Sequence, residues 1–155
     1  MVDKTHGNNT AGGAGMTAMA YMNRAFYQNK SINAQMERLC SLKNLVTSTT
    51  TALSDMPRPS SPNPQRMESM MTKIVDLEKE VDSAVDTLVE LKAEIAEMIS
   101  QVPKETQRKI LTARYLEFNS WSEIAESLFL DVRWVQRQHT RALESIEKSM
   151  KLTEG

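Results

Sequence analysis

The chain has 155 residues, 40% of them hydrophobic and 25% charged, with 19 basic and 20 acidic side chains. That composition supports a folded protein and excludes both wholesale disorder and a strongly basic nucleic-acid coat. The single cysteine, Cys40, rules out an intrachain disulfide and a cysteine zinc cluster, and no apolar run exceeds the five residues from Ala18 to Met22, so neither a membrane span nor a signal-peptide core is present.

Residues 1–15 are small and polar with Gly7, Gly12, Gly13 and Gly15, and read as a flexible leader or tag. Glycine and proline, which cost about 1 and about 3 kcal/mol inside a helix, are then absent from Met16 to Leu53 and from Gln65 to Val102. Each segment is expected to be one continuous helix. In the first, Ala25, Ile32, Leu39, Val46 and Leu53 recur every seventh residue, although Thr47 to Thr51 weaken its last turns. Cys40, next to Leu39, is expected to be a buried or half-buried thiol rather than a redox sensor.

A proline-rich turn over residues 54–65 leads to the second helix. Here Met67, Ile74, Val81, Leu88, Ile95 and Val102 occupy one heptad position, and Met70, Leu77, Ala84, Leu91 and Met98 another, the seam of a coiled coil. Met71, Val85 and Ile99 widen that stripe and call for more than one neighbour. Residues 16–66 carry 6 basic and 2 acidic side chains and residues 67–102 carry 3 basic and 9 acidic, so charge favours pairing the two helices. Residues 16–102 therefore read as a long antiparallel α-helical hairpin that also serves oligomerisation, most simply as a homodimer.

After Pro103 the periodicity shortens, and residues 103–150 read as three shorter helices followed by a tail over residues 151–155. The first offers Ile110, Leu111, Ala113, Tyr115 and Leu116 to a core. Ser120 and Glu123 form a capping box for the second, which buries Trp121, Ile124, Ala125 and Leu128. Asp131 caps the third, whose inner stripe is Val135, Ala142, Leu143 and Ile146. The fold class is thus all-α, with the hairpin followed by a helix-turn-helix module. The third helix carries Arg133, Arg137 and Arg141 at four-residue spacing, with Gln136, Gln138, His139 and Thr140 among them and no acid between Val132 and Leu143. Arginine bonds guanine edges or phosphate and glutamine reads adenine, so this face suits double-stranded DNA. A solvated surface helix is the plainer alternative. Trp134, in the first turn, either stacks on DNA or closes the module.

The runs Ile110-Leu111-Thr112-Ala113-Arg114-Tyr115-Leu116, Ser120 to Leu128 and Val135 to Leu143 resemble region 4 of sigma-70-type factors. With Ala20 to Ala25, Leu53 to Arg58 and Ile74 to Glu78, the chain resembles a phage and prophage family of sigma-like proteins related to late-gene activators. The resemblance implies a cytoplasmic, sequence-specific transcriptional regulator in a bacterial host, with RNA polymerase as a further candidate partner. It places Arg133, Trp134, Gln136 and Arg137 toward the bases, with His139 and Arg141 nearer the phosphates. Thr140 completes the DNA-binding set. Two features depart from that family. Phe129 stands where many members have glycine, which predicts strain or a different turn, and the hairpin shows no likeness to the elements that bind the −10 sequence or the polymerase clamp.

Catalysis is not expected: His6 and His139 are the only histidines, and no phosphate loop, nucleophile motif or metal-ligand set can be assembled. No cofactor, metal or membrane is expected either. Two other functional readings stay open: a genome-packaging subunit resembling small terminases, and a coiled-coil structural or adaptor protein.

Overall fold

The computed structural model describes residues 17–55 and 64–154, and every regular element in them is helical. The leader over residues 1–15 and most of the proline-rich turn lie outside the described residues. The elements are α1 (Ala18–Met22), α2 (Arg24–Asp55), α3 (Pro64–Ser100), α4 (Glu105–Leu111), a π-helical turn (Thr112–Leu116), α5 (Trp121–Leu128) and α6 (Val132–Glu154).

The chain divides into two compact units, one formed by Met1–Phe26 with Glu90–Gly155 and the other by Tyr27–Val89. In the second unit, α2 and α3 are cross-linked in antiparallel order. Gln28 near the start of α2 donates from Nε2 to the carbonyl of Ala84 at 2.9 Å, whereas Lys43, further along α2, reaches Glu78, earlier on α3, at 2.9 Å. The expected seam is the protected one: Ile74 and Leu77 are buried, Met67, Met70, Val81, Ala84 and Leu88 are half-buried, and Ile32 of α2 is buried. The α2 seam is interrupted by Gln28 and Gln35, which accounts for its looser apolar pattern. Cys40 is exposed, contrary to expectation, because it stands one residue past Leu39 and is rotated off the seam.

The first unit holds the larger core. Ile110, Ala113, Ile124, Ala125 and Val135 cluster together, bordered by Trp121, Leu128, Leu130, Val132 and Trp134. Met22, Ile95, Leu111, Val102 and Ile146 are also almost fully buried. The first predicted helix is not continuous: Asn23 (φ −79°, ψ −6°) forms a turn between α1 and α2. It lets α1 begin against α6, where the Ala18 amide donates to the Glu147 carboxylate at 3.0 Å and Ala18 and Met22 are buried. The last helix is longer than expected. Residues 151–154, read from sequence as tail, are the final turn of α6, which nothing in their composition breaks before Gly155.

Candidate nucleic-acid interface

Three local devices set the position of α6. At the start of α5 the Glu123 amide donates to Ser120 Oγ at 3.1 Å and the Ser120 amide donates to Glu123 Oε1 at 2.8 Å, so both orphan donors are satisfied. The Ser120 amide, and after it the Ser120 hydroxyl, hold the Glu123 carboxyl below its ordinary range. At its end Phe129 adopts the left-handed conformation (φ 58°, ψ 43°), and the Leu130 amide closes the turn on the carbonyl of Ala125 at 2.9 Å. The glycine-like turn is therefore made by a phenylalanine, at a cost of about 1 kcal/mol or more. Asp131 then caps α6, its Oδ2 accepting from the amides of Arg133 at 3.0 Å and Trp134 at 3.3 Å.

The inner face of α6 is anchored at Val135, Gln138, His139, Ala142 and Ile146, all buried. This corrects two expectations. Gln138 is not on the outer face: its Oε1 accepts from Nε2 of the buried Gln107 at 3.0 Å. His139, expected near the phosphates, is 5% exposed, with its Nε2 2.6 Å from the Tyr115 hydroxyl and its ring in edge contact with Trp121, centroids 4.6 Å apart. Burial, assisted by the Arg114 guanidinium, pushes the His139 pKa down to about 4, so the imidazole is neutral at pH 7. Burial likewise raises the Tyr115 hydroxyl above its ordinary value. Arg114 lies over the Trp121 ring at 4.3 Å and donates from Nη1 to the carbonyl of Asn119 at 3.1 Å, joining the π-helical turn to the start of α5.

These inner residues have core spacing, since 135, 138, 139, 142 and 146 follow the three-and-four rhythm of one helical face. That rhythm was the signal available in sequence, and polarity concealed it.

The outer face carries what remains of the predicted set. Arg133, Gln136, Arg137, Thr140 and Arg141 are exposed, and the first four line one shallow depression along the helix. Among the described residues none forms an ion pair or side-chain hydrogen bond with the three guanidinium groups. The Thr140 hydroxyl donates back to the Gln136 main-chain carbonyl at 3.1 Å, and the Gln136 residue is exposed. Trp134 is half-buried against the core, and only part of its ring remains for an external contact. No group of three metal-ligating side chains is found among the described residues, and no helix there is long and apolar enough to cross a membrane.

Comparison with family models, curated proteins and solved structures finds no match to this chain.

Proposed function

We propose that this chain is a sequence-specific DNA-binding transcriptional regulator that inserts α6 into the major groove. The observation that carries the reading is the exposed, uncompensated cationic face of Arg133, Arg137 and Arg141, with Gln136 between them, on a helix whose opposite face is fixed in a core. Three cations at four-residue spacing, with no acid from Val132 to Leu143, repel one another in the free protein and gain a partner in a polyanion. Arginine and glutamine are also the side chains whose donor geometry distinguishes guanine and adenine edges. The likeness of this segment to sigma region 4 supports the same use, and the wider resemblance of the chain to phage and prophage sigma-like proteins favours a role in transcription in a bacterial host. The set proposed to touch DNA is Arg133, Gln136, Arg137, Thr140 and Arg141, with the exposed edge of Trp134.

The test is fluorescence anisotropy with duplexes selected from a random pool. Binding should weaken steeply as salt rises, because each neutralised phosphate releases counterion. Arg133→Ala and Arg137→Ala should each cost about 1–3 kcal/mol of affinity. Absence of any duplex binding at low salt, or selection that returns no sequence motif, removes the regulator reading; the second result would favour a packaging role.

A further inference from the structure

The unit formed by Tyr27–Val89 contains only three buried side chains among its described residues, Ile32, Ile74 and Leu77. A two-helix unit with so little hidden surface is short of core. It also displays apolar surface. On α3, Met71, Val75, Val85 and Val89 are 46%, 45%, 39% and 62% exposed. At about 100° per residue these four fall on one face, roughly a quarter turn round from the seam that meets α2.

The spacing along that face is a palindrome. Met71 and Val75 are four residues apart, Val85 and Val89 are four apart, and Glu78 and Asp82 stand between them at equal distances from Glu80. A face that reads the same in both directions fits another copy of itself running the opposite way. That is the requirement of an isologous two-fold contact, in which one patch serves both partners.

We propose that α3 pairs with α3 of a second copy of this chain, antiparallel, about a two-fold axis at the level of Glu80. Met71 then meets Val89 of the other copy, and Val75 lies beside Val85. The acidic centre is compensated from two directions. Glu78 is already held by Lys43 at 2.9 Å, and Lys79 lies on the same side of the stripe as Asp82, so that each lysine faces the other copy's Asp82 across the axis. The net negative charge of α3, with 9 acidic and 3 basic side chains over residues 67–102, opposes the contact and makes it dependent on salt, tightening as ionic strength rises.

The contact is tested on the full chain, without reference to DNA. Light scattering at tens of micromolar should give twice the 17.5 kDa of one chain, and Val75→Asp with Val85→Asp should return it to one chain mass with the helical circular-dichroism signal unchanged. In a Cys40→Ser background, a mixture of the Met71→Cys and Val89→Cys chains should form a mixed disulfide under mild oxidation. Either variant alone should not. A wild-type chain that stays monomeric, a dimer that survives the two aspartates, or efficient cross-linking of Met71→Cys with itself would each overturn the proposal.

Discussion

The Tyr115 hydroxyl and His139 Nε2 lie 2.6 Å apart, joining the π-helical turn to the middle of α6 inside the core. A neutral imidazole makes this bond in either tautomer, its Nε2 accepting from the hydroxyl or donating to it, whereas a protonated one would place a cation beside Arg114 inside the core. His139 is thus the pin that holds the cationic helix against the rest of its unit.

The pH dependence follows from the sign of the shift. His139 titrates near 4 in the folded chain and near 6.5 in the unfolded one, so between those values the unfolded state binds the extra proton. Its contribution is present above pH 6.5 and is lost as pH falls toward 4, by on the order of 3 kcal/mol. Denaturant titrations at pH 7 and pH 4.5 should show the loss. His139→Gln should flatten this part of the profile while lowering stability at pH 7, and a profile unchanged by the substitution would contradict the pin.

Gln136 and Gln138 are two residues apart and have opposite assignments. Gln138→Ala leaves the buried Gln107 amide without its acceptor and should cost about 1–3 kcal/mol of stability. Gln136→Ala, on the exposed face, should leave the melting temperature unchanged and lower affinity for the selected duplex. Measuring both properties on both variants separates the reading surface from the support beneath it.

The capping box was legible because it is local: Ser120 and Glu123 need only each other and the chain between them. Removing the hydroxyl with Ser120→Ala should cost about 1 kcal/mol, read as a lower melting temperature. The protected stripe of α3 was legible for a related reason, since a seven-residue period on one helix fixes which side chains share a face. What composition hid was the interior of α6. His139 and Gln138 read as surface because they are polar, although their spacing from Val135 and Ala142 is that of the core. Their burial depends on Tyr115 and Gln107, which are 24 and 31 residues away, and a local pattern carries no record of such partners. The break at Asn23 was hidden likewise, because it depends on the docking of α1 at Glu147.

Among the described residues Phe118 and Phe129 are the two non-glycine residues held at positive φ, both at 58°, and they predict opposite results for the same substitution. Phe129 is 93% exposed, so its ring contributes little burial while its β-carbon carries the strain of the left-handed region. Phe129→Gly should therefore be neutral or stabilising, by up to about 1 kcal/mol, the gain being limited by glycine's greater freedom in the unfolded chain. Phe118 makes an edge contact with Phe26, centroids 6.0 Å apart, and lies 5.0 Å from the Lys92 ammonium. Relief of the same backbone strain there comes with loss of both ring contacts, so Phe118→Gly should destabilise. Thermal melts of the two variants decide the point: a Phe118→Gly chain that melts higher would show that its ring contacts contribute nothing, and a Phe129→Gly chain that melts markedly lower would show that strain does not govern that position.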